Sequence, residues 1–172
     1  MFRKQIKAIT VLVFLLAFCF TLSACDPGNF QFTSDELASV TSIELINYDN
    51  PEQKHFASWV PDHTSDLKPF DDTKASRLEV LDDDKISDFL DELCEYNILY
   101  KYFAYDSPNG TCIKLNYRNG DFLIVWSYYQ NGSFSGYIGR YSSDGEVAEF
   151  FGCFESLTYY KNLVNDYFQI QI

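Results

Sequence analysis

Four turn signals in the C-terminal half constrain this chain more than any other feature. They are Ser107-Pro108-Asn109-Gly110, Asn119-Gly120, Asn131-Gly132 and Ser142-Ser143-Asp144-Gly145, each set between apolar runs. Asn-Gly tolerates the positive φ angles of a type I′ turn and so favours tight hairpins. The spacing predicts strands over 98–105, 111–118, 121–130, 133–141 and 146–152, joined as an antiparallel meander. A two-residue turn at Asn119-Gly120 sets Arg118 opposite Asp121. It then pairs Tyr117 with Phe122, Leu115 with Ile124 and Ile113 with Trp126 on one face. A four-residue turn at 107–110 adds Tyr100, Tyr102 and Ala104 to that face, which is expected to be buried. The other face mixes Lys101, Lys114, Asn116 and Arg140 with Phe103, Leu123, Val125, Phe134 and Ile138. It is expected to be partly covered by the N-terminal segment.

The rest of the chain supplies flanking elements. Residues 40–48, Val-Thr-Ser-Ile-Glu-Leu-Ile-Asn-Tyr, are rich in β-branched side chains and predict a first strand. Pro51, Pro61 and Pro69 make 49–75 mostly loop. A short strand is expected over 77–81. Asp82-Asp83-Asp84 then suits a helix start, where carboxylates accept from free N–H groups and favour the positive end of the dipole. Ile86, Phe89, Leu90, Leu93 and Cys94 follow at helical spacing. A last helix is expected over 154–168, with Phe154, Leu157, Tyr160, Val164 and Phe168 on one side. The fold class is therefore α+β: a curved antiparallel β-meander of about five to six strands, with two helices packed on one face.

The N-terminus carries a different message. Arg3, Lys4 and Lys7 precede an uncharged apolar run over 8–22. That run is shorter than the roughly 20 residues of a comfortable membrane helix and has the length of a signal-peptide apolar region. Ser23, Ala24 and Cys25 follow. Leu22-Ser23-Ala24-Cys25 resembles the lipobox of bacterial lipoprotein signal peptides. The resemblance implies that the Cys25 thiol takes a diacylglycerol and that the chain is cut just before it. Two acyl chains suffice for stable attachment. The expected organisation is a signal peptide over 1–24, a lipidated tether over 25–39 and a single domain over 40–172. The expected place is the extracytoplasmic side of the cell membrane, with the bilayer as partner through the lipid on Cys25.

Loss of Arg3, Lys4 and Lys7 leaves 10 basic side chains against 25 acidic ones, a net charge of about −15. Such a surface repels nucleic acid, which requires a basic stripe. It also repels anionic lipid heads, so the body is expected to stand off the membrane. Cys94, Cys112 and Cys153 remain in the mature chain, enough for one disulfide at most. No CxxC pair supports zinc, and no metal or cofactor is expected. His55 and His63 are the only histidines, eight apart around Pro61, without the i,i+4 spacing of a helical zinc pair. Gly132-Ser133-Phe134-Ser135-Gly136 has Phe134 where a nucleophile elbow needs serine.

Trp126, Tyr128, Tyr129, Phe134, Tyr137 and Tyr141 crowd the third hairpin. Aromatic faces there are the candidate binding surface for a sugar or a protein, and core packing is the alternative for most of them. The mature domain is also similar to small uncharacterised lipoproteins of Gram-positive bacteria. The segments that carry this likeness are 40–45, 85–93 and Ile113-Lys114-Leu115-Asn116-Tyr117-Arg118-Asn119-Gly120-Asp121. It implies no catalytic residues. The functional expectation is a non-enzymatic binding module that meets an envelope protein or polymer. The alternatives are a small-ligand or metal-assisted hydrolase site on the 49–75 loop, or an accessory or sensory subunit of a membrane system.

Overall fold

A computed structural model describes residues 29–49, 69–99, 108–130 and 133–170. Eight strands form one antiparallel sheet: β1 (Asn29–Phe30), β2 (Val40–Tyr48), β3 (Ala75–Val80), β4 (Ile98–Leu99), β5 (Gly110–Tyr117), β6 (Phe122–Gln130), β7 (Ser133–Tyr141) and β8 (Val147–Phe154). Their order is β1-β4-β8-β7-β6-β5-β2-β3. The helices are α1 (Ser34–Ala38), α2 (Ile86–Glu95) and α3 (Leu157–Tyr167). The architecture is α+β, with a meander over β5–β8 at its centre.

Two expectations about the meander are corrected. β4 is not a neighbour of β5, and the rest of the strand expected over 98–105, with Tyr100, Lys101, Tyr102, Phe103 and Ala104, lies outside the described residues. Ile98 and Leu99 pair with Phe154 and Cys153 of β8, and β5 takes β2 as its other neighbour. The β2–β5 pairing runs from Val40 opposite Tyr117 to Tyr48 opposite Gly110 and sets Ile43 against Leu115 and Leu45 against Ile113 in one core.

The register of β5 on β6 also differs by one residue from the two-residue-turn pattern. Leu115 faces Leu123, Ile113 faces Val125 and Cys112 faces Trp126. The cause is the turn. Tyr117 N–H donates to the Asp121 carbonyl at 2.9 Å, Gly120 N–H donates to the Tyr117 carbonyl at 3.0 Å, and Gly120 has φ +93°. Three residues, 118–120, make the connection, with glycine in the left-handed position of a bulged hairpin. A shift of one residue exchanges the two faces of a strand relative to its neighbour. Tyr117, Leu115 and Ile113 therefore share a face with Leu123 and Val125, not with Phe122, Ile124 and Trp126.

Among the described residues, buried side chains line both faces of the sheet's central strands. On the first, Ile43, Leu45, Ile113, Leu115, Leu123, Val125 and Ile138 meet Phe89, Leu90 and Leu93 of α2 and Tyr160, Leu163 and Val164 of α3. Both long helices thus cover one face. The α3 start is fixed by Ser156, whose hydroxyl accepts from Thr158 N–H at 3.2 Å. Phe154, expected in this helix, ends β8 instead. The three aspartates before α2 open a 3-10 turn, and the Asp82 side chain makes no capping hydrogen bond.

The segment expected to be a tether over 25–39 is built into the fold from Asn29 onward. Asn29 and Phe30 pair with Leu99 and Ile98. Thr33 and Glu36 form a reciprocal capping box for α1: Glu36 N–H donates to the Thr33 hydroxyl at 3.3 Å, and Thr33 N–H donates to the Glu36 carboxylate at 2.8 Å. Phe32, Leu37 and Val40 pack on the helix-covered core. An Arg140 guanidinium from β7 binds the Glu36 carboxylate and lies 5.6 Å from the centre of the Tyr117 ring.

Candidate functional site

The second face of the sheet carries the aromatic cluster and is the only part of the described fold that gathers rings, thiols and charges. One row across it runs Ile46, Cys112, Trp126, Tyr137 and Cys153, each paired to the next. The next rows bring Tyr48, Phe122, Ile124 and Tyr141. Phe70 closes this core from the segment that enters β3. Its ring stacks on Tyr48 at 4.2 Å and meets Phe122 edge-on at 5.3 Å. Phe70 N–H donates to the Gly145 carbonyl at 2.7 Å. A Cβ on Gly145 would lie 2.1 Å from the Phe70 carbonyl oxygen, and its φ is +85°. Only glycine lets the β7–β8 turn come this close.

Charge enters at the margin. Lys114 is directly opposite Glu44 on β2, yet its ammonium reaches Asp72 at 2.6 Å. It sits 4.2 Å from the centre of the Phe122 ring and 5.4 Å from that of Phe70. The Lys114 side chain is only 12% exposed, so the ring and the carboxylate replace much of the water it has lost. Glu44 pairs with Arg77 of β3 at 2.8 Å. Asp71 N–H donates to the Tyr48 hydroxyl at 3.0 Å, and Asp71 caps the short 3-10 turn through Thr73 N–H at 3.0 Å. Together these contacts fasten the end of the 49–75 segment to the sheet.

Burial holds the Cys112 thiol and the Tyr48 and Tyr141 hydroxyls neutral. Burial pushes the Cys112 thiol up, against one weak hydrogen bond to Asn109. Burial also raises the Tyr141 hydroxyl, which has no hydrogen-bond partner among the described residues. Tyr48 is raised by burial more than its Asp71 hydrogen bond lowers it. A neutral buried thiol is a poor nucleophile. Cys112 and Cys153 stand three strand spacings apart, about 14 Å, beyond disulfide reach. Cys94 lies on α2, across the sheet from both. No pair among the three can bridge, so the one disulfide that their number allowed does not form and all three are free.

The aromatic binding surface also changes. Trp126 is 1% exposed and Tyr137 3%, so their rings belong to the second core. The backbones of Tyr128, Tyr129 and Phe134 lie toward the hairpin end of β6 and β7, where Tyr128 pairs with Ser135 and Tyr129 with Phe134. Cys25, His55 and His63 lie outside the described residues. Among the described residues no three His, Cys, Asp or Glu side chains converge as metal ligands would, and no helix is long and apolar enough to cross a membrane.

Sequence reasoning passed over four anchoring residues. Glu36 had a legible signal, the Thr33-x-x-Glu36 capping box. Lys114, Phe70 and Arg140 had none, because their partners lie far along the chain. Among the described residues, the exposed large apolar side chains are Leu78 and Val80, each 45% exposed, on the outer strand β3. Leu78 is the extra residue of a β-bulge: Leu45 faces Glu79 and Ile46 faces Arg77. A bulge in an edge strand discourages addition of a further strand.

Comparison with protein-family models, curated proteins and solved structures finds no match for this chain.

Proposed function

We propose that this protein is a bacterial lipoprotein, held on the extracytoplasmic side of the cell membrane by acyl chains on Cys25, and that its domain is a non-enzymatic binding module. The carrying observation is the order of segments at the N-terminus: Arg3, Lys4 and Lys7, an apolar run of signal-peptide length, then Leu22-Ser23-Ala24-Cys25. Among the described residues the first strand is β1, Asn29–Phe30, four residues past that cysteine.

The binding role rests on where apolar surface is offered. The sheet commits both faces to its own cores, while β3 leaves Leu78 and Val80 half in solvent beside the Glu44–Arg77 pair. The bulge turns a partner away from the backbone and toward these side chains. The acidic body favours an envelope partner with a cationic surface.

Fractionation of cells carrying the wild type and Cys25→Ala tests the anchor. The wild type should sediment with membranes and leave them only with detergent. Cys25→Ala should lose that behaviour, and a variant still held in membranes would refute the anchor. For binding, Leu78→Lys with Val80→Lys should cost at least tenfold in affinity for an identified envelope partner at unchanged stability. Unchanged affinity would exclude the β3 edge.

A further inference from the structure

The start of β1 limits how far the domain can sit from its anchor. Asn29 is hydrogen-bonded into the sheet beside Leu99, and only residues 26–28 separate it from Cys25. Four Cα steps, fully extended, reach at most about 14 Å. A globular domain of this length has a radius of gyration of about 15 Å. The leash is thus shorter than the body, and the body cannot turn freely about it.

We propose that the β1–β4 edge of the sheet is the surface that lies against the bilayer, with the β3 edge turned outward. The inference rests on the lipid-anchor reading above. The occupant is the headgroup layer of the leaflet that holds the Cys25 acyl chains. That layer is roughly 6 Å thick on each side of the hydrocarbon, so Asn29 is held within about 8 Å of its outer surface.

Charge supports the same orientation. Residues 27–34, Pro-Gly-Asn-Phe-Gln-Phe-Thr-Ser, carry no charge in a chain with 25 acidic side chains. An uncharged stretch meets anionic headgroups without the repulsion the rest of the surface would suffer. The opposite edge, β3, lies seven strand spacings away along the sheet, about 33 Å of curved surface. It carries Leu78 and Val80, the apolar side chains offered to a partner.

The test uses the full lipidated protein in phosphatidylcholine vesicles containing lipid with a nitroxide-labelled headgroup. Exposed Cys94 is replaced by serine, and a single fluorophore is placed through Gln31→Cys or Ser76→Cys, both exposed positions. The Gln31 label should be quenched at least threefold more strongly than the Ser76 label. Inserting 20 Gly/Ser residues between Gly28 and Asn29 should abolish that difference. Equal quenching in lipidated protein with the native spacing would overturn the orientation and leave the anchor intact. Protein whose mass shows no lipid on Cys25 would overturn both.

Discussion

At the residue scale, the second core depends on side chains with two tasks at once. Lys114 supplies a charge to Asp72 and a methylene stem and ammonium to Phe122. Replacing it with alanine removes both and should cost about 2–3 kcal/mol, whereas Lys114→Met keeps the packing and should cost about 1 kcal/mol. Urea denaturation of the two variants checks the difference; equal costs would mean that the packing of the stem on Phe122 contributes nothing. Gly145 is constrained by both its backbone angle and its contact with Phe70. Gly145→Ala should destabilise by about 2 kcal/mol or more, with early exposure of the Phe70 segment in hydrogen exchange. The cysteines give a third expectation. Since no two of Cys94, Cys112 and Cys153 can bridge, the denaturation midpoint should not change with reducing agent. Thiol titration of the unfolded mature domain should find all three. A midpoint that falls on reduction would contradict the row geometry.

At the scale of elements, α1 is a five-residue helix held by its ends. Burial alone would raise the Glu36 carboxyl, but the Thr33 backbone donor and Arg140 outweigh it, and its pKa falls below the ordinary 4.5. A lowered folded value means that the stabilisation is complete above the unfolded pKa and is lost as pH falls through the folded one. Glu36→Ala should therefore cost about 1–2 kcal/mol at pH 7, and the gap from wild type should close as pH falls through the lowered folded value. Denaturation curves at pH 7 and pH 3 measure it; a gap that widens in acid would reverse the assignment.

These elements also show what a sequence discloses. Strand β2, over residues 40–48, was legible because its β-branched run is bounded by Asp49 and Pro51. The stripe of α2 was legible because Phe89, Leu90 and Leu93 repeat at helical spacing and face one core. The β5–β6 register was not, because Asn-Gly serves both a two-residue turn and a bulged three-residue one, and the choice lies in the φ of Gly120. The pairing of Ile98 with Phe154 and the reach of Lys114 to Asp72 join residues 56 and 42 apart, and no local pattern encodes such meetings. The Trp126 and Tyr137 rings looked available because an aromatic hairpin reads alike whether its far face is wet or covered.

At the scale of the whole molecule, a sheet with buried side chains on both faces, a strongly acidic chain and a strand only four residues past Cys25 lie behind one proposed arrangement. The proposed arrangement holds the domain edge-on at a membrane, with the β3 edge turned away from it. All of this depends on processing and acylation at one cysteine. The most direct measurement is the intact mass and N-terminal peptide of protein extracted from membranes. The account predicts a chain beginning at Cys25, with a diacylglycerol on its sulfur and residues 1–24 gone. A chain that still begins at Met1, or an unmodified Cys25 thiol, would contradict it.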